Sequence, residues 1–286
     1  MLWPECLSDA ELHSRTLSSS VNREDIETID CFLPYGRDRR EELVCLLRDC
    51  GKELRYFIHA FPLDRFCLGT TSDSEQGLIR LVLDDQIKVA AAIGAKSVTF
   101  GSGTDPGQSD RPAAREAFAD FCRWFCSRLK GCGMTALLEP FDRTSYRKFL
   151  YGPTNECVEL INSLSPEVDN LRVQLDIAHV VLSGETFRQA IETAAGHLGH
   201  VHLGNCVKGI TSDPFYGDKH PAIGYPGGEI DVPEVAEVLR VLLEIGYLNK
   251  QNRGSLVLEM QPLPGLTVEQ TIQDSLCRLE QAWRTI

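Results

Sequence analysis

The sequence predicts an α/β fold, a (β/α)8 TIM-type barrel, on three observations. Short β-branched or apolar runs alternate with amphipathic stretches along the chain, the length of 286 residues suits one large barrel, and several apolar runs close on an acid or a histidine. Such alternation marks a parallel sheet with helical crossovers, and single barrels of about 250 residues are common. No linker, low-complexity segment or repeat divides the chain, so residues 1–286 are expected to form one catalytic domain.

The strand candidates are residues 26–34, 54–61, 97–101, 135–139, 171–176, 200–204 and 255–259. Helices fall between them, and several carry end signals. The stretch 38–50 stops at Gly51 and 75–93 stops at Gly94, the residue type that most readily ends a helix. Residues 113–129 run into Lys130-Gly131, and 154–164 precede Ser165-Pro166. Pro233 sits in the first turn of a helix that ends at Gly246, and Thr267 with Gln270 forms a capping box for the last helix. Seven strands leave an eight-stranded barrel one short. Counted back from the C-terminus the missing strand is the first, because residues 1–4 are too few and 5–20 read as a first helix. Either that strand is absent or a few N-terminal residues fill its edge. A bare edge meets water with unpaired backbone groups, so the reading implies a homo-oligomer or a partner subunit at that side.

Charge and cysteine usage narrow the function classes. Twenty-nine basic against 41 acidic side chains give a formal charge of −12, which argues against a nucleic-acid backbone as partner. Eleven cysteines are scattered singly without a C-x-x-C pair, as reduced thiols of a cytoplasmic protein would be. No window approaches the ~20 apolar residues of a membrane span, and no basic flank precedes an apolar run at the N-terminus. The glycine-rich stretch 101–107 lacks both G-x-G-x-x-G spacing and a following Lys-Ser/Thr, and reads as a rim loop rather than a nucleotide site.

The informative pattern is where the polar residues fall. Glu139 closes Thr135-Ala136-Leu137-Leu138, Asp176 closes Val173-Gln174-Leu175, His202 follows His200-Val201, and Glu259 closes Leu256-Val257-Leu258. Each lies at the C-terminal end of a predicted strand, and on one barrel rim such ends converge where active sites of this architecture gather. Three carboxylates brought together would repel one another unless a cation held them. The four are therefore candidate ligands of one divalent metal ion. An oxygen-rich set suits Mn²⁺ or Mg²⁺ better than structural Zn²⁺, with Co²⁺ and Zn²⁺ also compatible.

The segments Leu138-Glu139-Pro140, Gln174-Leu175-Asp176-Ile177-Ala178-His179, His200-Val201-His202 and Leu258-Glu259 resemble, in order, the motifs of the xylose isomerase-like TIM barrels. That superfamily holds sugar isomerases, ketose 3-epimerases, inosose dehydratases and apurinic-site endonucleases, and the resemblance spans about residues 26–283. Asp218-Lys219-His220, with Pro226-Gly227-Gly228-Glu229-Ile230-Asp231 after it, resembles the family's D-x-H loop and helix entry. His59 stands where many members carry a histidine. The endonuclease branch needs a further histidine in the stretch Val98-Thr99-Phe100-Gly101-Ser102-Gly103, which has none.

The resemblance implies a divalent-metal-dependent isomerase or epimerase of a sugar or sugar-like polyol, working by proton transfer beside a carbonyl through an enediolate. Glu139 and Glu259 would serve as ligands and as the acid/base pair, while His59, His179, Lys208, Asp218 and His220 would contact a small carbohydrate. Two departures bear on specificity. Asp142-Arg143 keeps the family's Arg, but Ser145 replaces a Glu; and Asn205-Cys206-Val207-Lys208 replaces an acid soon after the histidine, before a long insertion at 207–219. A lyase on the same site, an inosose-type dehydratase or a keto-glycoside-cleaving enzyme, begins with the same proton abstraction and is the alternative. A non-catalytic barrel subunit is the third reading.

Overall fold

The computed structural model describes the chain except for residues 1, 8, 34–36 and 59–66. A short 3₁₀ turn (Pro4–Leu7) and helix α1 (Ala10–Val21) precede the first strand. Seven strands follow: β1 (Thr28–Cys31), β2 (Glu53–Phe57), β3 (Ser97–Phe100), β4 (Thr135–Leu138), β5 (Leu171–Asp176), β6 (Leu198–Gly204) and β7 (Leu256–Glu259). All ladders are parallel and the order β1-β2-β3-β4-β5-β6-β7 is sequential. The helices between them are α2 (Arg37–Arg48), α3 (Asp73–Ala92), α4 (Arg111–Lys130), α5 (Thr154–Leu164), α6 (Ile177–Ser183), α7 (Phe187–Ala194) and α8 (Val232–Glu244), and α9 (Val268–Trp283) closes the chain.

Each expected strand is present; the fifth has the expected bounds, the sixth begins two residues earlier, at Leu198, and the others are shorter than expected, with residue 34 of the first run and residues 59–61 of the second lying outside the described residues. The expected capping devices are formed. Asp231 and Glu234 make a reciprocal cap on α8, with Pro233 in its first turn, and Thr267 and Gln270 do so on α9. Helices α6 and α7 have no counterpart in the sequence reading, because α6 begins directly on the last residue of β5 with no intervening loop.

The sheet is a barrel wall that does not close by a ladder. β1 and β7 come within 8 Å of each other between Cα atoms, yet they stand at opposite ends of the strand order. Among the described N-terminal residues none pairs as a strand. Leu2 instead packs against Met260, Ala222 and Ile272 beside the exit of β7. His13 of α1 stacks on Phe32 just after β1 at 4.6 Å between centroids. Two surface ion pairs bridge the same junction, Arg23 to Glu269 and Arg253 to Glu27.

Register fixes which side chains enter the barrel. Paired residues of neighbouring strands share a face, so Asp30 aligns with Arg55, Thr99 with Leu137, and Gln174 and Asp176 with His200 and His202. The Thr99 hydroxyl donates to Gln174 Oε1 across the interior at 2.6 Å. The alternate residues pack outward: Phe100 meets Phe118, Phe121 and Phe125 of α4 at 5.0–6.2 Å between centroids.

Candidate active site

Four strand ends bring Glu139, Asp176, His202 and Glu259 together on the C-terminal rim, with one donor atom of each within 4.8 Å of the others. Glu139 follows β4 with its amide on Phe100 O of β3 at 3.0 Å. Asp176 ends β5 and also caps α6: its Oδ1 accepts the Ala178 amide at 2.6 Å, while Oδ2 is buried without a hydrogen-bond partner. The helix cap thus orients the carboxylate and leaves one oxygen facing His202 Nδ1 at 3.7 Å. Glu259 Oε2 lies 2.5 Å from that same Nδ1. Gly204 leaves room for Asp176 and His220 beside it, since a Cβ there would fall 2.5 Å from His220 Nδ1 and 2.7 Å from Asp176 Oδ1.

A second buried group adjoins the first. His179 Nε2 and His220 Nε2 converge on Asp218 Oδ1 at 3.0 and 2.6 Å, and Arg147 pairs with the other oxygen. His179 Nδ1 is 3.4 Å from Glu139 Oε1, and His220 Nδ1 is 3.9 Å from Asp176 Oδ2, so Asp218 and its two histidines are joined to the rim acids on both sides. His220 takes a left-handed backbone, φ +50°. Its loop is tied to the exit of β7, for Gln261 donates from its amide to His220 O and from its side chain to Lys219 O.

Acids and histidines alternate through this cluster, and their ionisation follows. Burial drives the Asp176 carboxyl up, and with His220 and His179 opposing it the group sits at about 6. Burial also acts against charge on Glu259 and Asp218, but the neighbouring histidines hold both below the usual carboxylate range. His202 is raised well above its ordinary value because Glu259 and Asp30 outweigh burial. His220 rises to about 9, with Glu259 and Asp218 overcoming the same penalty. The physical cause is one: a buried acid is tolerable where a cation stands beside it.

The other candidates divide. His59 lies outside the described residues. Lys208 is exposed on the rim and its Nζ donates to Val181 O at 2.8 Å. Arg143 turns away to Leu150 O and Glu156, and it is Arg147, which the sequence reading passed over, that reaches Asp218. Asn205 is buried and fixes the loop entering α8, accepting from the Cys206 and Ile230 amides and donating to Ala222 O.

Sequence reasoning also missed Asp30. Its carboxylate accepts from both His200 and His202. The signal was a lone acid between Ile29 and Cys31, both buried on the other face of β1.

An acid- and histidine-lined rim on a parallel α/β barrel defines a TIM-barrel protein with an enzyme-type site at the customary end. The sequence model of the xylose isomerase-like TIM barrel family matches residues 22–280, and the chain belongs to that family. It is 28% identical over 145 residues to the D-psicose 3-epimerase of Ruminiclostridium cellulolyticum, covering 50% of this chain and 40% of that one. It is 23% identical over 121 residues to the 2-oxo-tetronate isomerase of Pectobacterium atrosepticum, covering 42% and 45%. The matches thus span less than half of each curated relative. In fold, the chain is similar to the crystal structure of D-psicose 3-epimerase with D-tagatose from Clostridium cellulolyticum H10, with TM-score 0.68 and 17% identity over 95% of this chain and 94% of that one. Among the described residues no helix is long and apolar enough to cross a membrane.

Proposed function

We propose that this protein is a divalent-metal-dependent isomerase or epimerase of a small sugar or sugar-like polyol, acting in the cytoplasm. The observation that carries the reading is the pair Glu139 and Glu259, which reach one buried cluster from strands on opposite sides of the rim. The names of the curated relatives, a ketose epimerase and a sugar-acid isomerase, support the same chemistry.

The donor set fits a hard divalent ion. One donor atom from each of the four residues lies within 4.8 Å of the others, close enough for a single ion to be shared among them. The unpartnered Asp176 Oδ2 and the crowding of three carboxylates both call for a cation. Glu139, Asp176, His202 and Glu259 would hold it, with Mn²⁺ or Mg²⁺ best matched to three carboxylates and one imidazole. Such an ion supplies Lewis-acid polarisation of the substrate carbonyl and so acidifies the neighbouring C–H.

The rest is the work of the chain's own groups. One glutamate takes the proton from the carbon beside the carbonyl, leaving an enediolate, and the other returns a proton to the opposite face or to the adjacent carbon. Protonated His179 and His220, held by Asp218, present cationic N–H groups beside the rim and stabilise negative charge that develops on substrate oxygens. His179 Nδ1 also lies 3.4 Å from Glu139 Oε1. The junction between β1 and β7, which has no ladder, supports self-association at that side; light scattering of the purified protein tests it, and a monomer would overturn it.

Metal analysis of the purified protein, followed by incubation of ketoses and polyol ketones in D₂O with NMR of the products, tests the function. One ion per chain and deuterium on the carbon beside the carbonyl are expected. A dehydrated or cleaved product would replace the epimerase reading with a lyase on the same site, and a metal-free protein without exchange would remove both.

A further inference from the structure

His202 has two faces, and only one belongs to the rim cluster. Its Nδ1 looks toward Glu259, Asp176 and, at 3.3 Å, the side-chain amide of Gln174. Its Nε2 points the other way, to Asp30 Oδ2 of β1 at 2.7 Å. An ionised carboxylate only accepts, so Asp30 requires a proton on Nε2; Nδ1, which faces the Glu259 carboxylate at 2.5 Å, is then the nitrogen whose proton a rim cation would replace. Asp30 is in turn held by His200, whose Nε2 lies 3.0 Å from the same oxygen and whose Nδ1 is 2.7 Å from the Ser255 hydroxyl at the foot of β7. Ser255, His200, Asp30 and His202 form one chain of hydrogen bonds. It runs from the foot of β7 through the two histidines of β6 to β1, inside the junction where β1 and β7 make no ladder.

We infer that Asp30 is the positioning residue for His202, and that this side-chain array performs across the open junction what a ladder performs elsewhere in the wall. The inference rests on the proposed role of His202 as a metal ligand. A carboxylate behind a ligand histidine fixes the ring's tautomer and orientation and raises its basicity, and loss of such a partner typically weakens metal binding by about ten- to a hundredfold. Asp30, His200 and His202 also stand close enough to be read as a cation cage of their own. Both imidazole nitrogens, however, converge at hydrogen-bond distance on a single carboxylate oxygen, where each N–H already has its acceptor.

The test is Zn²⁺ and Mn²⁺ binding by competition titration on the wild type, Asp30→Ala, Asp30→Asn, Asp30→Glu and Ser255→Ala, with ¹⁵N NMR of the imidazoles in the diamagnetic Zn²⁺ form. Asp30→Ala should raise the dissociation constant about ten- to a hundredfold. Asp30→Asn, whose amide oxygen can still accept both N–H groups but carries no charge, should raise it less, and Asp30→Glu should recover part of the loss. In the wild type His202 should carry its proton on Nε2 with a slowly exchanging downfield resonance, and Asp30→Ala should abolish that resonance. A purely structural Asp30 would lower the melting temperature while leaving the dissociation constant within twofold and the resonance in place; that result overturns the inference. So would a second tight ion lost in His200→Ala, since Asp30 would then be a ligand itself. If the wild type takes up neither ion, the metal reading and this inference fall together. If it binds and Asp30→Ala binds equally well, only the positioning role falls.

Discussion

Two parts of the barrel hold the same cluster by different means. In the wall from β3 to β6 each strand has a laddered neighbour on both sides, β3 is buried at every residue, and Glu139 and Asp176 are 2% and 0% exposed. At the junction of β7 and β1 every residue of β7 is only half-buried, Glu259 among them, and the two strands are linked through the side chain of His200 on β6 rather than by a backbone ladder. Main-chain ladders fix a strand end through many small, local constraints. A side-chain array has few members, and each is open to single substitution. The difference teaches where the site is sturdy and where it is adjustable.

The largest expected effects break the proposed chemistry on both sides. Glu139→Gln and Glu259→Gln should each lose nearly all turnover, because an amide is a poorer ligand and no proton acceptor. Retention of more than about a tenth of wild-type kcat, a barrier change of only ~1.4 kcal/mol, would assign the base elsewhere. Shortening by one methylene then separates the regions. Glu259→Asp should keep more turnover than Glu139→Asp, because β7 is laddered on one side only and can follow the shorter side chain. Equal losses in steady-state assays would show that the two ends are equally rigid.

Stability should divide along the same line. Phe100 is fully buried among Phe118, Phe121 and Phe125, so Phe100→Ala should cost about 3–5 kcal/mol in denaturant unfolding. Leu258, half-buried on β7, removes less surface from water, and Leu258→Ala should cost about 2 kcal/mol or less. A loss at Leu258 matching that at Phe100 would mean the junction is as tightly packed as the wall.

The division also explains what the sequence disclosed. Strand ends with an acid after an apolar run are a local signal, so β4, β5 and β7 and their terminal carboxylates were legible from the residues alone, as were Pro233 in the first turn of α8 and the capping box of α9. The count of seven strands exposed the missing first one. What was hidden depends on contacts between distant segments. Asp30 and His200 are far apart in the chain, and only barrel closure makes an isolated acid on β1 the partner of both β6 histidines. Arg147 was hidden for a related reason. Its loop is pinned by Asp142, whose carboxylate accepts the amides of Ser145, Tyr146 and Arg147, a turn that sends Arg147 rather than Arg143 toward Asp218. Helix α6 escaped because Asp176 serves at once as strand end and helix cap.

Asp218 and His220 probe a part of the site that touches both regions, through His179 of α6 and through the loop tied to the exit of β7. On the proposed function they act on substrate, so Asp218→Ala and His220→Ala should each raise KM or lower kcat about tenfold or more, equivalent to at least ~1.4 kcal/mol, while metal stoichiometry stays at one. The geometry motivates this: Asp218 Oδ1 is already shared by two histidines and its other oxygen pairs with Arg147. Two or three tightly bound ions per wild-type chain, measured by elemental analysis, would make these residues ligands instead.

The smallest expected effect concerns the outer surface of the junction. Arg253 reaches Glu27 at 3.2 Å, linking the approach to β7 with the approach to β1, but their side chains are 77% and 84% exposed. A pair so open to water gains little from Coulomb attraction, is screened by salt and must order two long side chains, so such bridges contribute at most about 1 kcal/mol and often nothing. Arg253→Ala and Glu27→Ala, alone and combined, should therefore shift unfolding free energy by no more than about 0.5 kcal/mol each, with a coupling energy near zero at physiological salt. The inner array behaves otherwise, because His200 is fully buried and loss of Asp30 or Ser255 would leave one of its ring nitrogens an unsatisfied polar group. A double-mutant cycle giving a coupling well above 1 kcal/mol for Arg253 and Glu27 would show that the junction is clamped from outside, and would take from the Asp30 array its standing as the tie between β1 and β7.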